Sequence, residues 1–472
     1  MTKHNSDQTL GITRRSAVAG AAVLTTAALV GCGSSRNTPS GTSISDVIVV
    51  GAGMAGLAAA ARLRSQGLSV TVLEARNRTG GRVHTVKGPG APIDLGAAWI
   101  HDQSGNPLTP IAKRAEAETI ATDYESVELR DTDGGRISSD IVDEATAAQD
   151  EIFTALSDQA GADDADEELR FSDAYSKAVA DGPDLTPDGE DALAWLTGVA
   201  VPLDLAADTS EVSLVGWSEG DTYNDGGDAL LTEGAHQLID VIGKGVAVKT
   251  GVAVSSIAQG PAGVTMTARD GAMFKAQCCV VTVPLGVLRS NSITFTPPLP
   301  ERHRAAISSL RMGTLDKVML RYEEQWWPDV TQLGVVGPSA DRTISTFNME
   351  PASGLPMLVA FTGGSYARSL ERLGDDELVA VVTDKLAGGF GDAARRHDWS
   401  LVTRWSQDEW SHGSYSYMPP GATSDDRAAL HRPAGRIVFA GEHTSVERPS
   451  TMDGAYRSGL AAAAKASDIV NS

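Results

Sequence analysis

The chain is expected to be an α/β protein in which a Rossmann-like dinucleotide-binding domain is interleaved with an α+β domain. Three observations predict this. An apolar strand, a glycine turn, a helix and a second strand follow one another in SDVIVVGAGMAGLAAAARLRSQGLSVTVLEAR, residues 45–76. The stretch GVTMTARDGAMFKAQ reads as a hairpin that turns at Asp270-Gly271. Residues 140–215 read as acidic helices separated by polar loops. With 472 residues, 42% of them hydrophobic, and 49 glycines, the chain has material for a large core and two intertwined domains.

The first unit carries its own chemistry. Gly51 allows a tight turn after Val47–Val50, Gly53 lets backbone approach a pyrophosphate, and Gly56 lets helix and strand pack closely. The helix that opens there, beginning around Ala55, brings unpaired N–H groups and a partial positive charge to the same point, and it ends at Gly67. Glu74 closes the second strand about 20 residues on, the spacing at which an acid accepts hydrogen bonds from a ribose.

Charge and cysteine content exclude several classes. A formal net charge of −22 argues against nucleic acid, whose phosphates call for a basic surface. An acidic surface attracts cations, cationic substrates included. Two cysteines, Cys278 and Cys279, are adjacent in an apolar run and point to opposite faces of a strand, so neither a disulfide framework nor a cysteine metal site is expected, and no metal is implied.

Residues 1–32 are expected to be an export signal. TRRSAVAGAAVLTTAALVGC has a twin arginine, Arg14-Arg15, and an apolar stretch too short and alanine-rich for a span of about 20 residues. It ends in Leu29-Val30-Gly31-Cys32, which resembles a bacterial lipobox and implies lipidation at Cys32, so that the only membrane contact would be an N-terminal lipid anchor on an extracytoplasmic protein. Residues 33–43, GSSRNTPSGTS, read as a flexible tether. The twin-arginine route carries folded chains, which suits a protein that loads its cofactor before export.

One strand poses a question. In LDKVMLRY, Leu315, Lys317 and Met319 share a face, and an ammonium on an apolar face costs free energy unless something there requires it.

The answer comes from a resemblance. LEARNRTGGRVHTV places Arg76, Gly80, Gly81 and Arg82 just after the ribose acid, and from here the sequence resembles the flavin-dependent amine oxidases, the group of monoamine oxidases, polyamine oxidases and lysine-specific histone demethylases. DLGAAWIH (94–101) is similar to the segment that passes along the flavin ring, with Gly96, Ala97 and Ala98 approaching closely. VTVPLGVLRSNSITFTPPLP (281–300) looks like the family's crossover out of the FAD domain, and Val254 sits where the family makes a backbone contact to adenine. RIVFAGEHTSVERPSTMDGAYRSGLAAAA (436–464) resembles its last strand and helix, with Glu442 near the ribityl or pyrophosphate region and a helix opening at Asp453 toward the flavin pyrimidine. The resemblance further assigns Trp99, Trp410, Gly441, Thr451, Met452 and Ala455 to the surroundings of a non-covalent FAD. It also implies domain pieces: 44–105, 235–290 and 430–472 for the cofactor, 106–234 and 291–429 for the substrate.

The same resemblance gives Lys317 its purpose, since the family strand carries a single lysine that reaches, through one water, toward flavin N5. RWSQDEWSHGSYSYMPPG is similar to the segment with a flavin-flanking tryptophan, Trp405, and a ring-facing tyrosine, Tyr415. Ser414 stands where covalent members have a cysteine. The second ring of the family's aromatic pair maps to Thr451, leaving one cage aromatic, as in histone demethylases and many polyamine oxidases. WIHDQSGNPLTPIA resembles the polyamine oxidase run whose histidine, here His101, faces the amine channel. Trp99 is not the carboxylate-clamping arginine of amino-acid oxidases. Glu219 and Asp221 are further candidates to grip a distal ammonium.

These features imply an FAD-dependent amine oxidase closest to the polyamine oxidase branch: hydride transfer to flavin N5, an imine hydrolysed to aldehyde or ketone plus amine, and O2 reduced to H2O2. Deprotonating an alkylammonium of pKa near 10 at pH 7 costs about 4 kcal/mol, which an apolar aromatic pocket lowers. The alternatives are oxidation of another primary amine or an L-amino acid, or a surface lipoprotein that binds a cationic ligand without turnover.

Overall fold

The computed structural model describes residues 45–219 and 226–472. The export signal, the tether, Cys32 and Asp221 therefore lie outside the described residues.

Two sheets organise these residues. The larger has eight strands in the order 294–296, 254–260, 263–268, 273–281, 45–50, 70–73 and 248–249, with 437–439 beside the end of 273–281. Its nucleotide half is parallel: Val47–Val50 pairs with both Val70–Leu73 and Cys278–Val281, and Cys279–Val281 pairs with Ile437–Phe439. These strands are continuous apolar runs because helices cover one face and a second apolar cluster the other. Cys278 lies in the first cluster and Cys279 in the second, as alternation along a strand requires. The expected hairpin is present, with Arg269–Ala272 linking its strands and Gly271 at φ +86°.

The covering helices are Met54–Ser65 and Met452–Asn471. Met54–Ser65 is mostly alanine and leucine because it is enclosed between sheet and partner helix, so small residues are needed for close approach. A Cβ on Gly459 of the partner would meet the Ala55 carbonyl oxygen at 2.2 Å.

The second sheet has six strands in the order 399–402, 315–321, 357–363, 345–348, 332–335 and 127–130. It is antiparallel except for the last pair. The helices Ser139–Ala160, Phe171–Asp181 and Pro187–Gly198 pack beside it around Phe171, Trp195 and Leu156, matching the acidic-helix reading of that stretch. Strand 294–296 belongs to the larger sheet, although it follows the crossover at residue 290. Among the described residues no helix is long and apolar enough to cross a membrane.

Candidate active site

A continuous cavity of about 650 Å³ runs from the larger sheet to the smaller. Its two ends are built differently.

The nucleotide end is made of backbone and paired charges. Gly51, at φ +106°, turns the chain after the first strand. Gly53 is the N-cap of Met54–Ser65 and offers no side-chain cap, so the first N–H groups of that helix need another partner. A Cβ on Gly53 would meet nothing closer than Gly80 O at 3.8 Å, so the glycine leaves an open cradle above the helix end. Glu74 is buried and accepts from Ala52 N at 2.6 Å and Arg76 N at 2.8 Å, which fixes the turn and the acid together. Val254 begins its strand at this end, and Trp410 lies with the Arg269 guanidinium 4.5 Å over its ring.

Arg76 makes a two-point ion pair with Asp408 at 2.9 and 2.5 Å. Arg82 donates to Ser414 O and to Glu442 Oε1, both at 2.8 Å. Burial pushes the Glu442 carboxyl upward, but Arg82, His443 and Arg427 outweigh it and hold the acid at about 2. Its Oε2 also accepts from Ser416 Oγ at 2.5 Å and Ser450 N at 3.2 Å. Both oxygens thus serve protein donors, and Glu442 acts on a ligand through the Arg82 it holds. Gly441, Met452 and Ala455 complete this wall.

Glu219 is not free to grip an ammonium, contrary to the sequence expectation. It forms a buried pair with Arg427, whose Nη2 lies 2.8 Å from Oε2. Arg427 in turn donates to Ser416 Oγ at 2.7 Å, so one network runs from Glu219 to Glu442.

The amine end is made of rings, one lysine and acids. Lys317 is 6% exposed and its Nζ donates to Asp94 O at 2.9 Å and Gly96 O at 2.6 Å. Nζ also lies 5.4 Å from the Phe361 ring centre and 5.8 Å from that of Trp99. Burial lowers its pKa to about 8, with Asp94 opposing. Gly96 is obligatory because a Cβ there would strike Arg82 O at 1.8 Å. Ala97 N donates to Arg82 O at 3.2 Å, and Ala98 is buried behind it. Trp405 donates from Nε1 to Leu95 O at 3.1 Å, beside the carbonyls that hold Lys317.

Tyr415 donates to Leu203 O at 2.9 Å; burial above all, then Asp204 and Glu442, pushes its pKa well up, so the phenol stays neutral. Ser414 Oγ is tied to Leu315, accepting from N at 2.8 Å and donating to O at 2.9 Å.

Thr451 lines the cavity, but its hydroxyl caps Met452–Asn471, accepting from Gly454 N at 3.0 Å and donating to Arg448 O at 3.0 Å. It offers the amine neither a ring nor a free donor, and this corrects its place among the reacting groups. Rings from elsewhere supply the missing wall. Trp99, Phe347 and Phe361 pack against one another with centroids 5.4 to 5.8 Å apart, and Tyr124 meets Phe347 at 6.2 Å.

His101 faces this space and its Nδ1 lies 2.6 Å from Asp228 Oδ2. Burial lowers the His101 pKa, but the bond and charge of Asp228 raise it further, for a net upward shift. Asp228 also accepts from Tyr124 at 2.8 Å. Asp204, next to the Leu203 that holds Tyr415, keeps its accessible surface toward the cavity it lines. Sequence reasoning missed Asp204, Asp228, Asp408, Phe347 and Phe361. Only Asp228, in the run GGDALL, carried a local hint, an acid opening a short apolar strand.

The dimensions and donors fit a dinucleotide lying along the cavity, with the bare helix end and Gly53 cradle at one end and backbone pressed close by Gly96 at the other. Among the described residues no group of His, Cys, Asp and Glu is arranged to hold a metal.

Known proteins agree with this geometry. The family model described as flavin containing amine oxidoreductase matches residues 54–467. Polyamine oxidase 4 of Oryza sativa subsp. japonica is 35% identical over 432 residues, covering 88% of this chain and 87% of its own. Polyamine oxidase 2 of Arabidopsis thaliana is 34% identical over 430 residues, with 88% and 87% covered. The solved cyclohexylamine oxidase from Brevibacterium oxydans IH-35A superposes with a TM-score of 0.74 at 26% identity, covering 91% of this chain and 100% of that one. The chain belongs to the flavin-containing amine oxidoreductase family: it is a flavin-dependent amine oxidase, with the two-domain fold of that family and FAD as its cofactor.

Proposed function

We propose that this enzyme oxidises a polyamine at a carbon next to nitrogen, giving an imine that water converts to aldehyde or ketone plus a shorter amine, with O2 reduced to H2O2. The observation that carries the polyamine reading is the acidic charge beside the aromatic wall: Asp204 lines the cavity, and Asp228, whose oxygens serve His101, Tyr124 and Asp102 N, adds its charge next to it. Burial and Asp228 raise the Asp204 pKa while His101 lowers it. With both acids ionised the trio carries one net negative charge when His101 is protonated and two when it is neutral, and a cationic nitrogen favours those ionised forms. A monoamine needs only the rings; a second cationic nitrogen gives Asp204 a partner. The similarity to plant polyamine oxidases supports the same reading.

FAD, when bound, accepts the two electrons and passes them to oxygen. The protein's part is positioning and proton control. The aromatic wall desolvates the substrate ammonium and favours its neutral form, from which the α-carbon reacts. Tyr415, held neutral and fixed at Leu203 O, limits how the nitrogen can lie. Lys317, with two N–H groups committed to carbonyls and a pKa brought to about 8, can exchange a proton with a water near neutral pH. Ser414 in place of a cysteine supports non-covalent cofactor binding, and acid precipitation should release all the flavin.

For localisation, the twin arginine and the Leu29–Cys32 run support export and lipidation at Cys32; labelled fatty acid should enter the wild type and not Cys32→Ala. The substrate test is peroxide release by the purified flavoprotein offered spermine, spermidine, their acetylated forms, putrescine, a monoamine and an L-amino acid. Turnover highest on a polyamine supports the proposal. Turnover confined to the monoamine or the amino acid rejects it.

A further inference from the structure

The Lys317 strand buries a second charged residue that the amine chemistry does not use. Asp316 is 3% exposed and lies on the opposite face of that strand. Its Oδ1 accepts from Thr403 Oγ1 at 2.8 Å and Trp405 N at 3.0 Å. Its Oδ2 is buried with no hydrogen-bond donor. Glu371, 4% exposed, follows the helix Gly364–Leu370 and is held next to Asp316, since the two acids accept from the consecutive backbone N–H groups of Trp405 and Ser406. Glu371 itself accepts from Ser406 N at 2.8 Å and from the Ser406 hydroxyl.

Two carboxyls held on consecutive N–H groups in the interior resist being ionised together unless a cation bridges them. Among the described residues none is seen to do so. Lys317 turns to Asp94 O and Gly96 O, Arg404 donates to the carbonyls of Glu371 and Leu373 and pairs with Asp375, and Arg368 pairs with Glu211. The strand Met357–Gly363 brings no charge. The buried, partnerless Oδ2 is the atom at which a proton would relieve both acids.

We propose that Asp316 is kept as the neutral acid, donating its Oδ2 proton to Glu371, and that this shared-proton pair is the positioning device that holds Lys317 and Trp405 in register with the flavin. The connections are direct. Lys317 N donates to Thr403 Oγ1 at 2.8 Å, and Thr403 N donates to Lys317 O at 3.0 Å. Thr403 Oγ1 in turn donates to Asp316, which also receives Trp405 N. Glu371 fixes the turn just beyond Trp405 through Ser406, and its carbonyl accepts from Gln407 Nε2 at 2.7 Å. Ionising Asp316 places two carboxylates in contact under that turn and drives it away from the strand.

Burial, then Glu371, raises the Asp316 pKa well above the usual aspartate value. A raised pKa means that the folded chain holds this proton more tightly than the unfolded one. The stabilisation is complete below about 4 and is lost as pH rises from there through the folded value.

The test follows the thermal midpoint and the visible flavin spectrum of the holoenzyme from acid to alkaline pH, in wild type, Asp316→Asn and Glu371→Gln. An amide at 316 still accepts from Thr403 and Trp405 and donates to Glu371 without a titrating proton. The wild-type midpoint should fall relative to both variants as pH rises, with the flavin band shifting in the wild type alone. Infrared spectra of the wild type should contain a protonated-carboxyl carbonyl band that Asp316→Asn removes. Parallel pH profiles in all three proteins would overturn the proposal. So would a wild-type infrared spectrum without a protonated carboxyl, a result that needs no variant to fold.

Discussion

At the nucleotide end almost every charge is answered by an opposite charge, Arg76 by Asp408, Arg82 by Glu442 and Arg427 by Glu219. At the amine end Lys317 is answered by carbonyl dipoles and rings, and Asp204 faces open cavity. The difference follows from what each end meets. A dinucleotide is a fixed ligand, so its site is best completed in advance, with arginines held by acids that ligand binding does not disturb. An amine arrives charged and must become neutral, so its site needs groups whose protonation is still open.

Substitutions at the two ends should therefore fail in different ways. The largest effect is expected from Gly56→Ala, whose Cβ would lie 2.0 Å from Gly51 O and 2.8 Å from Thr282 Oγ1. The purified chain should carry no flavin absorbance, because the cradle cannot close. Next, Glu219→Gln leaves Arg427, 1% exposed, without its anionic partner, and a urea titration should show a loss of about 3 kcal/mol.

Lys317→Met should do the reverse. Turnover should drop about 100-fold, equivalent to about 2.7 kcal/mol in the barrier, with flavin retained. Because burial lowers the Lys317 pKa, the folded chain binds that proton less tightly than the unfolded one, and the penalty is greatest below about 8. The variant should thus melt higher than wild type at pH 7, with the gap closing above pH 8. Smallest is Thr451→Ala, which removes a helix cap at a cost of about 1 kcal/mol and should leave turnover unchanged. A large turnover loss there would restore Thr451 to the reacting groups.

The contrast also explains what the sequence disclosed. Gly51, Gly53, Gly56 and Glu74 lie within one strand–helix–strand unit, where spacing alone brings them together, and they were legible. Lys317 was legible because an ammonium interrupts an apolar strand face. Asp316 is equally anomalous on the other face, but its surroundings, Thr403, Trp405 and Glu371, come from distant segments, so the strand alone does not disclose its purpose. Phe347, Phe361, Tyr124 and Asp204 come from separate segments that only the folded second sheet and its connections assemble. Each reads alone as an ordinary core ring or surface acid. Thr451 matches an aromatic position of the family by resemblance, and that match does not disclose the helix end it caps.

The central claim is that carboxylates at the amine end read a second cationic nitrogen. It is tested most directly by the ratio of kcat/KM for spermidine to that for cyclohexylamine in wild type and Asp204→Asn. The account predicts that the ratio falls roughly tenfold in the variant, through spermidine alone, as a charged hydrogen-bond partner is lost. An unchanged ratio, or equal losses on both amines, would contradict it.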